Sequence, residues 1–408
     1  MNKVELFSLF VFISSGLLYD LTTVTNNNDF IKYISLVLFV TAFVLYIFVS
    51  SDRNPVLVFS FFILSKCIVL SLSLIDIDYL QWVMFNGDAQ RLHIPTVLNM
   101  NMNNIIPYLT DFDTFAIVTG RLSHVLFYSY WSVISAFVYF DDLYAGVMIS
   151  AYIANSSVLL IAGWIIYSSL ISVGIDRELA CKGVVLFLFS PFLLAWGAMP
   201  MKEPVISLLV ILVAIQIVHA NRIVLIFASF LFLFERLYMV YLSAAVLIIT
   251  KKISLITKII SCVLIVGMFF VFFPMDKFVT ILLYQIEFQE NVAESGRSLA
   301  SGGVLNNILR VLFSPFPFAT FFIASDEDFY YRVHYLIQPI YVFLMFRIIF
   351  TKSKFSLLIL FILLVNFVLF PYGARQKINV LIPLLSIMYP IFIYCRRNNI
   401  PLHSFWRM

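Results

Sequence analysis

Long runs without a single charge limit this chain more than any other feature. They cover residues 33–51, 143–175, 183–201, 204–221, 355–374 and 378–395. About 20 residues of helix cross roughly 30 Å of hydrocarbon, and in lipid every backbone polar group must be satisfied internally, so most of these runs read as membrane-spanning helices. The rest of the 408 residues agrees: 62% are hydrophobic and 12% charged, which no soluble domain could hide from water. The expected fold is all-α and polytopic, a single integral membrane domain over residues 1–408.

Spans are expected near residues 5–21, 31–50, 55–75, 122–140, 143–172, 183–199, 204–220, 223–250, 258–274, 333–350, 355–371 and 378–395, about 12 transmembrane helices with both termini cytoplasmic. The cations set this orientation. Short loops on the inner side hold Lys3, Arg53, Lys202, Lys251, Lys252, Lys258, Lys352, Lys354, Arg396, Arg397 and Arg407, as the positive-inside rule requires. Two longer loops, about 76–121 and 275–332, then face the periplasm. The second contains VLFSPFPFATFF, too short and too rich in proline for a plain span, and is read as re-entrant or interfacial. The first apolar segment lacks a small-residue cleavage site and reads as a span instead of a removable signal.

Composition also limits function. A net charge of +4 is ordinary for a membrane protein and gives no reason to expect nucleic acid. The four cysteines are scattered, with no CxxC pair and no histidine at ligand spacing, so no metal site is expected. Walker A, GxSxG and HExxH motifs are missing from the sequence, leaving ATP-driven transport and hydrolase chemistry without support.

Five places break the apolar pattern with charge. FNGDAQRLH sets Asp88, Arg91 and His93 close together after Gly87; a carboxylate beside cations suits a general base on a sugar hydroxyl with Arg and His meeting phosphate, and equally a wet loop. GRLSH puts Arg121 and His124 about one helical turn apart, on one face, as ligands or as an interfacial anchor. In WGAMPMKEP, Lys202 and Glu203 interrupt two apolar segments; proline starts the next helix, and an ion pair at the helix end is the plain alternative. In FERLYMVYL, Glu235 and Arg236 fall near the middle of a span, where an unpaired charge costs at least about 2.5–3.5 kcal/mol. Neighbours in a helix point about 100° apart, so these two cannot simply pair and at least one must face a polar cavity or another helix. Lys66, nearer a span end, is read as snorkelling. PYGARQKINVLIP brings Arg375 and Lys377 to the start of the last span, beside a glycine, where they suit a diphosphate or are routine flanking charges.

Taken in order, GDAQRLH, GRLSHVLFYSYWSVISAFVYF, SPFLLAWGAMPMKEP, FERLYMVYL, SPFPF and YGARQKINVLIPLL resemble the membrane proteins of bacterial surface-polysaccharide clusters: O-antigen polymerases of the Wzy type and relatives with GT-C glycosyltransferase-like architecture. The resemblance implies an inner-membrane protein, active at the periplasmic face on undecaprenyl-diphosphate-linked glycan and working beside other polysaccharide-assembly proteins in the lipid bilayer. It puts the catalytic acidic residue of the first outer loop on Asp88, with Arg91 and His93 beside it, and the late basic motif on Arg375 and Lys377. Substrate contacts are expected from Arg121, His124, Lys202, Glu203, Glu235 and Arg236. The GDA string has no second acidic residue of a DxD or ExD motif, so no cofactor is expected and a divalent metal lacks support. A single-sugar GT-C transferase and a lipid-linked oligosaccharide flippase are the competing functions; a flippase is expected to line its cavity with several intramembrane cations.

Overall fold

The computed structural model describes residues 3–24, 29–49, 54–75, 89–110, 120–138, 141–236, 239–250, 254–272, 329–351, 353–369 and 374–402. All regular structure among them is helical. In chain order the helices are α1 Lys3–Val24, α2 Asp29–Val44, α3 Pro55–Ile75, α4 Ile94–Leu98, α5 Ile105–Thr110, α6 Arg121–Phe137, α7 Leu143–Ser172, α8 Arg177–Leu188 and α9 Pro191–Ala198. They continue as α10 Glu203–Ala214, α11 Gln216–His219, α12 Arg222–Glu235, α13 Val240–Ile249, α14 Leu255–Phe272, α15 Phe329–Ile349, α16 Lys354–Leu369 and α17 Ala374–Arg397. π-helical turns cover Leu45–Val49 and Ala89–His93. The proline-interrupted piece of the second loop lies outside the described residues.

Helix α7 is the ruler of the molecule. Its 30 residues measure about 45 Å at 1.5 Å per residue. Asp142 caps its start, accepting from the backbone N–H groups of Tyr144 at 2.9 Å and Ala145 at 3.3 Å. Past Ser172 the chain reverses through Gly174, whose φ of 82° is open to glycine. Helices α8 and α9 then run back along α7, bent by 51° at their break. Close approach is possible because glycines line the seam: a Cβ on Gly163 would meet Leu188 at 3.1 Å, and one on Gly197 would meet Leu159 at 2.7 Å. Helix α17 runs antiparallel to α8. A Cβ on Gly183 would overlap the Ser386 carbonyl, and Arg397 holds Glu178 through both guanidinium nitrogens at 3.2 Å.

These pairings define two ends. At one end α1 starts with Lys3, and Glu5 accepts from the Asn54 N–H at 3.1 Å just before α3. From there α3 climbs, with Phe59 on Trp164, Phe62 on Phe189, and the Lys66 carbonyl accepting from Tyr152 at 3.2 Å. Arg177, Glu178, Arg222, Lys258, Arg396 and Arg397 gather at the same basic end. Lys258 reaches the Ile248 carbonyl at 2.8 Å. Most of the buried core, including Leu159–Leu170 of α7 and Ile206–Ala214 of α10, lies between the ends. A smaller core of Ile94, Val97, Phe127 and the Ala145–Ala154 stretch of α7 stands apart beyond Asn155.

Among the described residues, two helices are long and apolar enough to cross a membrane, Leu143–Ser172 and Asn379–Arg397, or three if the bent α8–α9 pair counts as one span. Several expected spans take another form. Residues 122–140 do not run the length of the bundle: α6 packs along the first half of α7 as a hairpin, its buried Phe127 joining Ile94, Val97 and the Ala145–Ala154 stretch. Residues 223–250 are broken at Arg236, whose φ, ψ of −160°, 85° leave the helix. Helix α13 then packs on α10, α11 and α12, so it returns toward the end where α12 began. Arg222 therefore sits at the basic end, and Lys202 and Glu203 at the opposite end, the reverse of the expected sidedness.

Candidate functional site

At the level of Asn155 the helices change direction, and their ends carry the charges. The loop after α9 is pinned by Asn155, whose amide donates to the carbonyls of Met199 at 2.8 Å and Met201 at 3.1 Å. That turn delivers Lys202 and Glu203 to the start of α10. Gly120 faces them from the start of α6. Its φ is 67°, and a Cβ there would lie 2.7 Å from Lys202 Cδ, 2.9 Å from Lys202 Cβ and 3.4 Å from Glu235 Oε1. Glycine is required both by the left-handed backbone and by the space.

Glu235 arrives at the last position of α12. Its two oxygens accept from the Ser123 hydroxyl at 2.5 Å and the Ser123 N–H at 3.1 Å, so the start of α6 satisfies a carboxylate that a continuous span would have left in lipid. The charges of Lys202 and Glu203 act on it. Arg121 donates to the Leu109 carbonyl at 3.1 Å and lies 5.5 Å over the Tyr108 ring. His124 is bonded at both ring nitrogens: Nε2 is 2.6 Å from His93 Nδ1, and Nδ1 is 2.5 Å from the Tyr108 hydroxyl. The charges of Lys202 and Arg121 also reach this ring.

His93, Arg121, His124, Lys202, Glu203, Glu235 and Arg236 are each at most 6% exposed. Arg121, Lys202, Glu203 and Arg236 all have further partners. Among the described residues, these are three cations and two carboxylates, one positive charge in excess. Buried ions cost several kcal/mol each unless paired and hydrogen-bonded, so a positive excess held in this way is a place where one more anionic group lowers the energy. The two imidazoles add groups able to take up or release a proton.

The structure thus brings together seven of the residues picked out from the sequence and leaves others apart. Asp88 lies outside the described residues. Arg91 is exposed. Arg375 and Lys377 fall in the first turn of α17, with their side chains outside the described residues. Within the next turn of α17, which packs on α10, Asn379 is fully buried and neither atom of its amide has a hydrogen-bond partner. Lys66 sits between the Tyr152 and Phe62 rings, 5.0 and 5.5 Å from their centroids, a cation–π position instead of a snorkelling one. Sequence reading missed Tyr108, Ser123 and Asn155, because a lone hydroxyl or amide in an apolar stretch looks like any other. Ser123 lay inside GRLSH and could have been found there. Among the described residues, no three His, Cys, Asp or Glu side chains gather at ligating distance. Comparison of the chain with protein-family models, with curated proteins and with solved structures finds no match.

Proposed function

We propose that the chain is a bacterial inner-membrane polymerase of undecaprenyl-diphosphate-linked repeat units in O-antigen or capsule synthesis, with the buried charged cluster as its reaction site. One observation carries the reading: among the described residues, charged and imidazole groups from four separate stretches of sequence are buried together, three cations to two carboxylates, at the end of the bundle away from the basic surface. By the positive-inside rule the end with Lys3, Arg177, Arg222, Arg396 and Arg397 faces the cytoplasm, and the cluster then faces the periplasm. From Asn155 to Ser172 is about 25 Å of helix, so the cluster falls near the outer edge of the hydrocarbon, where a lipid diphosphate sits. In this reading about a dozen helical segments hold the protein in the bilayer, several of them broken or re-entrant.

The chemistry follows from the charges. Transfer of a glycan from its carrier breaks the bond between the anomeric carbon and a diphosphate oxygen and puts negative charge on the departing group. Arg121, Lys202 and Arg236 are suited to stabilise that charge, more strongly in a water-poor site than at a surface. Glu235 and Glu203 keep the cations from repelling one another before substrate binds. Asp88 of the first outer loop, from the family resemblance, and His93 are the candidate bases for the acceptor hydroxyl.

Deleting the gene and resolving the surface polysaccharide on a gel tests this. A polymerase null leaves the lipid core capped by a single repeat. Full-length chains of altered mass point instead to a single-sugar transferase, and complete loss of repeats to a flippase.

A further inference from the structure

We propose that Tyr108, His124 and His93 form a proton chain that takes the proton of the acceptor hydroxyl out of the buried site. The inference rests on the reading of the cluster as a glycan-transfer site. Its ground is geometric. His124 is completely buried and has both ring nitrogens occupied, Nε2 toward His93 Nδ1 at 2.6 Å and Nδ1 toward the Tyr108 hydroxyl at 2.5 Å. Each of these short gaps holds one proton, so the three groups share protons as a unit and not as independent sites. The chain also has a direction: His93 is 2% exposed, His124 is fully buried, and Tyr108 on the short helix α5 is partly open to solvent. Arg121 stacks on Tyr108 and bonds the Leu109 carbonyl beside it, which fixes the outer link.

Two arrangements of the protons satisfy every gap. In the first, His93 Nδ1–H donates to His124 Nε2 and His124 Nδ1–H donates to the Tyr108 oxygen. In the second, Tyr108 O–H donates to His124 Nδ1 and His124 Nε2–H donates to His93 Nδ1. Glycan transfer converts one into the other. The acceptor oxygen bonds to the anomeric carbon as the bond to the diphosphate breaks, with its electron pair leaving on the diphosphate. The hydroxyl proton goes to His93 Nε2, the Nδ1 proton of His93 to His124 Nε2, and the Nδ1 proton of His124 to Tyr108, whose own proton passes to water. One proton enters and one leaves. When product departs and bulk water fills the emptied site, that water takes the His93 proton and a proton returning through Tyr108 resets the chain, so the relay carries the proton away only while the bound glycans keep water out of the site.

The test uses the full-length protein in lipid nanodiscs with ¹⁵N-labelled histidine, and the variants Tyr108→Phe and His124→Gln. Phenylalanine keeps the ring under Arg121 and removes only the hydroxyl. The expected result is that Tyr108→Phe shifts the imidazole resonances of His93, two links away, and that glycan extension in cells falls about tenfold for Tyr108→Phe and about 10²-fold for His124→Gln at equal protein levels, the low end of general acid–base effects. Unmoved His93 resonances, or wild-type extension by both variants, overturn the chain. A polysaccharide gel left unaltered by deleting the whole gene overturns the polymerase reading instead, and the spectra still judge the chain.

Discussion

Gly120 is where the cluster is tightest. Any side chain there must adopt a φ of 67° and displace Lys202, whose Cβ and Cδ both lie within 3 Å of the new carbon. Gly120→Ala is expected to cost about 1–3 kcal/mol from backbone strain alone and to shift Lys202 away from Glu235. A lower unfolding midpoint in detergent, together with loss of glycan extension, would be the result; an alanine variant as stable as the parent would show that the loop yields freely. The carboxylates can be separated in the same way. Asp88→Asn removes the basic charge and little else, and as a general base it should cost ~10² to 10⁴ in rate, while Asp111→Asn serves as the control. If both variants make polysaccharide of normal length, Glu235 becomes the next candidate; Glu235→Gln weakens the hold of Ser123 and leaves the three cations with one carboxylate, so both stability and extension should fall.

At the scale of elements, the apolar runs were legible because lipid and protein interior demand the same residues. Helices α3 and α7 coincide with expected spans, and α17 extends past both ends of its own. What periodicity did not give is where a run stops being one helix. FLFERLYMVYL reads as continuous, yet Arg236 leaves the helix and α13 folds back, at the point where Glu235 is held by Ser123 of α6 and feels the charge of Lys202, 112 and 33 positions away in sequence. The consequence is testable by alkaline phosphatase fusion. A fusion after Arg222 is expected to be inactive, since α10 and α11 return the chain to the basic end; activity there would restore the continuous span over 223–250.

For the molecule as a whole, the separation of charge sets the orientation. Cations at the turns α7–α8 and α11–α12 and at the end of α17 collect at one end. The buried cluster and the small core of α4, α6 and α7 lie at the other. Fusions after Asn103 are expected to be active and fusions after Asn398 inactive; the opposite pattern would invert the protein and put the cluster in the cytoplasm, away from a periplasmic donor.

The sequence by itself determined that this chain is helical and that some of its helices are apolar enough for a membrane, since long charge-free runs bury best as helices whose backbone groups are satisfied internally. It also named the residues that break those runs, because a charge among apolar residues is conspicuous whatever it contacts. Tertiary structure alone decided which of them meet. His93, Arg121, Lys202 and Glu235 come from stretches up to 142 positions apart (235 − 93), and only the hairpin of α6 on α7, the Asn155-pinned turn and the break at Arg236 bring them together. Burial selects such a meeting because each charge must find a partner once water is gone, and a partner's identity is a property of packed helix ends, which no local pattern encodes.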